Sequence, residues 1–251
     1  AGMDRNNNCS LILQMEDVCF SYPGSPRKVL DHIRFELKKG EKTGLIGHNG
    51  SGKTSLLHLI MGLLPMSSGR MRIFGEPVKN EKDFYTVRQK IGLLFQNADD
   101  QLFSPTVLED VAFGPLNLGK SPQEAREMSE KTLAELNLKG FENRVTHKLS
   151  GGEKKLVSLA AVLVMQPEVL LLDEPTTGLD ESTRERIIAV LNGLDISCII
   201  VSHEYDFLAQ TTRVIYSMKE GRIEYNGDAA ALHTHYHSHT AGKYPHAHEP
   251  G

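Results

Sequence analysis

With 251 residues and a formal net charge of −4, the chain has the length for one large domain or two intimate subdomains around a substantial core. The acidic balance and the lack of any long Lys or Arg run give no electrostatic reason to expect nucleic acid as a partner. No apolar stretch reaches the about 18 residues that span a bilayer, and the start has no charged-then-apolar signal pattern, so a membrane role would have to run through a partner. Cys9, Cys19 and Cys198 lie far apart without C-x-x-C spacing and read as reduced, structural thiols of a cytosolic protein. Ala1-Gly2 ahead of Met3 reads as a cloning remnant, and residues 1–9 as a flexible N-terminus.

Residues 11–22 and 33–37 are strand-like, separated by the turn-rich Pro23-Gly24-Ser25-Pro26, and predict an antiparallel sheet. Tyr22 falls at its edge, where an aromatic ring could stack on a base or cover the core. An apolar lead-in, Gly44-Leu45-Ile46, then delivers Gly47-His48-Asn49-Gly50-Ser51-Gly52-Lys53-Thr54, and a helix-forming stretch from Ser55 runs to the stop at Pro65. Strand, G-x-x-x-x-G-K-T loop and helix together make a phosphate cradle. The glycines let backbone N–H groups turn inward, the helix presents its positive end, Lys53 supplies a point charge and Thr54 offers a hydroxyl to Mg²⁺. A plain turn before a helix has no use for Lys-Thr at that offset.

Residues 71–74 predict a further short strand, and 91–95 a buried strand that delivers Gln96 into a polar loop, where a neutral amide can reach a metal or water without adding charge. From about 98 to 165 the pattern turns helical. Ser121-Pro122-Gln123-Glu124 is a capping box with Pro at the first helical position, opening a helix to about Leu136. Ser150 and Glu153 repeat the capping-box spacing, so Gly151 and Gly152 sit bare at a helix N-terminus that can approach an anion closely. Residues 169–172 are apolar throughout, as in a parallel strand covered on both faces, and end in Asp173 and Glu174 at the usual ligand crevice. A helix over 181–194, with Ile187, Ile188, Leu191 and Leu194 on one face, precedes a strand over 198–201 that carries His203 out at its end; residues 214–218 and 222–225 predict a final hairpin. The alternation predicts a doubly wound α/β core. Residues 232–251 change character: His233, His235, His237, His239, His246 and His248 crowd a polar tail that reads as flexible.

Taken in order, these motifs resemble the nucleotide-binding ATPase of ABC transporters over about residues 10–231. The resemblance implies an α/β fold: a RecA-like, mainly parallel sheet core, an N-terminal antiparallel β subdomain and an inserted α-helical subdomain. It also implies ATP and Mg²⁺ as ligands. Tyr22 would be the adenine-stacking aromatic. Gly47, Asn49, Gly50, Ser51, Gly52, Lys53, Thr54 and Ser55 would hold the phosphates, with Thr54, Gln96 and Asp173 around Mg²⁺. Glu174 would be the general base, His203 the switch histidine reaching the γ-phosphate, and Asp180 part of the D-loop. Ser150, Gly151 and Gly152 would be the signature that touches the γ-phosphate on another subunit's phosphate loop. With one loop and one signature per chain, the resemblance implies a head-to-tail dimer of ATPase subunits. Glu153 stands where Gln is commoner, which bears on how strongly the signature stimulates hydrolysis.

Residues 95–103, with Thr106-Val107 and residues 110–115, resemble the energy-coupling-factor importers, which take up vitamins or transition metals. That implies an integral-membrane coupling subunit, a substrate-binding membrane subunit and a peripheral position on the cytoplasmic face of the membrane. The acidic Asp99-Asp100 could dock basic helices of the coupling subunit or be ordinary loop charges. His233, His235, His237 and His239, at alternate positions, could converge on Co²⁺ or Ni²⁺, which favours a cobalt or nickel cargo over a vitamin; a polar tail without function is the plainer alternative. A soluble ABC protein acting on DNA or ribosomes would need a second phosphate-loop half, long coiled-coil insertions or a basic surface.

Overall fold

The computed structural model describes residues 11–229. The chain opens with β1 (Leu11–Phe20), β2 (Leu30–Lys38) and β3 (Lys42–Ile46), then α1 (Lys53–Ile60), β4 (Ser68–Ile73), β5 (Glu76–Pro77), α2 (Glu81–Arg88) and β6 (Ile91–Leu94). The helical insert follows as α3 (Val107–Asn117), α4 (Pro122–Glu135) and α5 (Gly151–Leu163). Thereafter β7 (Val169–Asp173), α6 (Glu181–Gly193), β8 (Ser197–Val201), α7 (Tyr205–Thr211), β9 (Val214–Lys219) and β10 (Arg222–Asp228) complete the core.

Two sheets result. The first is antiparallel, in the order β2-β1-β4-β5, and the second runs β10-β9-β3-β8-β7-β6 with parallel pairing from β9 through β6. The predicted antiparallel sheet, doubly wound core and helical insert are all present. β7 and β8 are buried at every position, as their unbroken apolar runs require for central parallel strands. One apolar cluster joins the antiparallel sheet to α1, α2 and one face of the parallel sheet, through Val18, Leu30, Leu57, Ile60, Leu171 and Ile199; another joins the opposite face to α5, α6 and α7, through Leu156, Leu159, Leu172, Ile187, Ile200 and Phe207.

Caps set the helix starts. Asn80, Thr106, Ser121 and Ser150 all close capping boxes, each side chain accepting the N3 amide while the N3 carboxylate accepts the cap's own N–H. At the other end of α1, Gly62 N–H donates to the Leu59 carbonyl and Leu63 N–H to the His58 carbonyl, the paired bonds of a left-handed helix stop. Gly62 has φ +69, and an added Cβ would lie 2.3 Å from the Phe84 ring, so only glycine fits there. The 181–194 helix stops one residue early. Ile187, Ile188 and Leu191 are buried, while Leu194 lies past the last turn in extended backbone and is only half-buried.

The parallel strands end level with one another. Leu94 pairs with Leu172, Asp173 with Val201, and Leu45 with Val201. The segments leaving β3, β6, β7 and β8 therefore converge on one crevice, which brings Gly47, Gln96, Glu174 and His203 together from four distant parts of the chain.

Candidate nucleotide site

The phosphate loop closes over the start of α1. Gly52 is its N-cap, with φ +109 and no side-chain cap, so the first amides of the helix are left for an anion. A Cβ on Gly52 would come within 2.8 Å of the Val29 carbonyl oxygen. Lys53 is buried, and its Nζ donates to the carbonyls of Gly47 at 2.7 Å and His48 at 3.1 Å. Burial lowers its pKa, while Glu174 and Asp173 pull the other way.

A cleft of about 450 Å³ is lined by Tyr22, Asn49, Gly50, Gly52, Lys53, Thr54, Ser55, Gln96, Asp173 and Glu174. Tyr22 lies outside the core at 46% exposure, its hydroxyl 3.1 Å from Ser55 Oγ and its ring edge-on to Phe20. The ring both lines the cleft and packs against the core residue Phe20. Thr54 Oγ1 donates to Asp173 Oδ2 at 2.7 Å, and burial raises the Asp173 pKa with the neighbouring Glu174 carboxylate adding to the rise. A buried carboxylate short of positive charge, a hydroxyl bonded to it and an amide across the cleft form a set of hard oxygen donors, which fits Mg²⁺.

Glu174 follows β7 in left-handed backbone, φ +46, with its N–H donating to the Val201 carbonyl at 2.9 Å. One carboxylate oxygen takes both the Thr177 hydroxyl at 3.0 Å and His203 Nδ1 at 2.8 Å. His203 thus engages the carboxylate, because β7 and β8 are in register and their following loops end side by side. A non-glycine residue held at positive φ at this point is a strained conformation that the surrounding bonds must fix. A second cleft, of about 930 Å³, shares Asn49, Gln96 and Glu174 with the first and continues to His203, Tyr205 and Ser217.

Ser150, Gly151, Gly152 and Asp180 line neither cleft. They gather elsewhere: Asp180 caps α6 by accepting the Thr183 amide at 3.0 Å and its hydroxyl at 2.8 Å, and a Cβ on Gly152 would lie 3.0 Å from that same hydroxyl oxygen. Ser150 caps α5 against Glu153, whose carboxyl is held below its usual range first by the Ser150 amide. Arg144 pairs with Glu153 at 2.9 Å and offsets the charge that an acid in place of Gln brings to this helix end.

Sequence reasoning missed several groups. Lys155 is buried on the α5 stripe that continues through Leu159 and Val162, and donates to the Phe95 and Gln96 carbonyls. A Lys in register with buried apolar positions was the available signal. Thr177, on Glu174, and Lys154, on Asp99 at 2.6 Å, depend on contacts no local pattern shows. With Asp99 tied to Lys154, the acidic loop offers a docking partner less charge than the sequence suggests. His233, His235, His237 and His239 lie outside the described residues. Among the described residues Cys19, Asp31 and His32 bring three metal-type ligand atoms within 4.8 Å of one another, but both Asp31 oxygens are taken by Lys28 and Arg222.

The family model described as ABC transporter matches residues 30–177. An ABC transporter ATP-binding protein of Nitratidesulfovibrio vulgaris is 51% identical over 94% of this chain and 86% of its own length. The energy-coupling factor transporter ATP-binding protein EcfA of Methanothermobacter thermautotrophicus is 43% identical over 84% and 69%, and the cobalt import ATP-binding protein CbiO of Rhodobacter capsulatus 40% identical over 88% and 80%. Among solved structures, cbiO1 of Clostridium perfringens, part of the complex cbiONQ, superposes with a TM-score of 0.80 at 34% identity, covering 90% of this chain and 92% of that one. The dimeric cassette MJ0796 with ADP and Pi gives 0.78 at 26%, covering 84% and 96%. The phosphate loop, the carboxylates at the end of β7 and this likeness agree: the chain belongs to the ATP-binding subunits of ABC transporters, in the energy-coupling-factor branch, and its chemistry is ATP hydrolysis.

Proposed function

We propose that this chain works as one half of a head-to-tail ATPase dimer that powers import of cobalt or nickel ions. The observation that carries the dimer is that two anion-seeking helix ends lie on one chain. The α1 end opens into the cleft with Asp173 and Glu174, while the α5 end, with Ser150, Gly151 and Gly152, lines neither of the two clefts described above. ATP held by one chain's loop would be covered by Ser150, Gly151 and Gly152 of a second copy, with Asp180 bracing Gly152 through Thr183.

Within that site Tyr22 stacks on adenine, and the amides of Gly47, Asn49, Gly50, Ser51 and Gly52 cradle the phosphates. Lys53 exchanges its loop carbonyls for phosphate oxygens, and Ser55 fixes the Tyr22 hydroxyl. Thr54, Gln96 and Asp173 would hold Mg²⁺, which neutralises charge on the β- and γ-phosphates. Glu174 takes the proton from the attacking water as its oxygen bonds to the γ-phosphorus and the bridging oxygen leaves with ADP. His203 and Thr177 hold that carboxylate, and His203 can pass from it to the γ-phosphate.

No helix among the described residues is long and apolar enough to cross a membrane. Membrane attachment therefore runs through subunits docked on the helical insert. There Phe103 and Phe113 stack edge-to-face while largely exposed, and Leu116 and Leu118 are exposed beside them on α3 and at its end. The cargo reading is supported by the cobalt import ATP-binding protein among its relatives. The decisive experiment mixes Ser150→Arg chains with Lys53→Ala chains, each inactive alone. Mixed dimers should regain one competent site, and mixed dimers that form without regaining hydrolysis would refute the shared site. ATP-dependent uptake of labelled Co²⁺, Ni²⁺ and a vitamin panel by the assembled transporter decides the cargo.

A further inference from the structure

Lys155 is 4% exposed although it carries an ammonium group. Burying such a group costs several kcal/mol in ordinary cases unless it is well paired. Its partners are not carboxylates. Nζ donates to two neutral carbonyl oxygens, Phe95 at 3.0 Å and Gln96 at 2.6 Å, and burial pulls its pKa down to about 8. Packing alone would place Leu or Met here, in line with Leu159 and Val162 on the same buried stripe of α5. The Asp173 and Glu174 carboxylates favour the charged form from a distance, and the carbonyls are what the charged end grips.

That is the main chain just beyond β6, whose last ladder partner is Leu94 with Leu172. Past this point the backbone of residues 95 and 96 leaves the sheet, and α5 takes over its support. Gln101 braces the same turn, accepting the Phe95 amide at 3.3 Å and donating to the Ser158 carbonyl at 2.9 Å, and Lys154 holds Asp99 from the same helix. Of these tethers only Lys155 bonds Gln96 itself. It lies about one turn from the helix N-terminus formed by Ser150, Gly151 and Gly152.

We propose that Lys155 is a positioning residue for Gln96, locking that amide in register with the α5 N-terminus so that the two move as one body. The proposal rests on the reading of Gln96 as a nucleotide-site residue and of the α5 end as the partner's phosphate site. On that reading α5 joins two different ATP molecules: its N-terminus grips the one on the partner, and Lys155 aims Gln96 at the chain's own.

The test is a double-mutant cycle in the full chain with steady-state ATP hydrolysis as readout, comparing wild type, Gln96→Ala, Lys155→Met and the double variant. Met keeps the length of the side chain and its packing and removes the cost of burying the ammonium, so urea midpoints near wild type are expected. Lys155→Met should lower kcat about 10- to 100-fold, as a misplaced catalytic group does, with KM for ATP within about 2-fold. The double variant should be no slower than Gln96→Ala alone. Lys155→Arg, which keeps donors for both carbonyls, should retain most of the wild-type kcat. The positioning role is overturned if the two single effects multiply in the double variant, if Lys155→Met turns over like wild type, or if Lys155→Arg is as slow as Lys155→Met. Should Gln96→Ala itself hydrolyse ATP at the wild-type rate, the assignment of Gln96 to the site falls, and the role of Lys155 with it.

Discussion

Glu174→Gln should leave the fold and nucleotide binding in place and stop hydrolysis. The substitution is isosteric, and an amide oxygen can still accept the Thr177 hydroxyl and bond His203. The backbone at φ +46 stays pinned by the N–H bond to the Val201 carbonyl, so the change in stability should stay below about 1 kcal/mol. What is lost is the carboxylate's basicity. A general base contributes about 10²- to 10⁴-fold, or roughly 3 to 5 kcal/mol of barrier at about 1.4 kcal/mol per decade. Phosphate release at saturating ATP should fall by that factor, while affinity for a fluorescent ATP analogue stays within about 3-fold. Because the dimer would reopen only after hydrolysis, light scattering should find the variant dimeric in ATP and monomeric without it. Turnover above a tenth of wild type in folded protein would remove Glu174 from the role of base. A variant that fails to dimerise in ATP would break the link between nucleotide and closure.

Gly62→Ala should destabilise the chain by about 2 to 4 kcal/mol in urea unfolding, combining left-handed backbone with a clash against the Phe84 ring; a loss under about 1 kcal/mol would contradict the tight packing at that helix stop. Asp31 is held down to about 2 by hydrogen bonds from Lys28 and Arg222, against about 4 in an unfolded chain, so its contribution is complete above about pH 4 and is lost as pH falls toward 2. Asp31→Asn should accordingly lower the thermal midpoint at pH 6 and flatten its fall between pH 4 and 2, and an unchanged acid slope would show that the ion pairs carry no linkage. Burial pushes the Cys198 thiol up to about 12, so iodoacetamide at pH 8 should leave the peptide containing it unmodified until denaturant is added, as read by mass spectrometry; labelling of native protein would refute its burial.

The phosphate loop, the Asp173-Glu174 pair and the capping boxes at Ser121 and Ser150 were legible because each chemistry is written in neighbouring residues. Spacing alone places Lys53 after Gly52, or Glu153 opposite Ser150. The convergence of Gln96, Glu174 and His203 was also legible, since strand-helix alternation predicts parallel strands that end on one side. The hidden features are contacts across long sequence separations. Lys155 reaches back 60 residues to Phe95, and the Val29 carbonyl meets Gly52 in a way no pattern encodes. The contact of His203 with Glu174 was hidden for a related reason: it depends on the register of β7 and β8, which brings the His203 ring to the Glu174 carboxylate.

The wall of the phosphate loop has a consequence for the order in which the molecule is made. Ser51 accepts the Gly221 amide at 3.3 Å, the Gly221 carbonyl accepts the Asp31 amide at 2.8 Å, and Arg222 closes on Asp31. The loop motif emerges early in synthesis, but its outer support is the β9-β10 turn, among the last described segments to leave the ribosome. A nascent chain stopped before residue 221 would carry every phosphate-binding residue and still lack the backing that holds them in shape. Tight ATP binding thus reports a chain in which the β9-β10 turn has already met the phosphate loop, and the nucleotide stabilises only molecules in which that contact has formed.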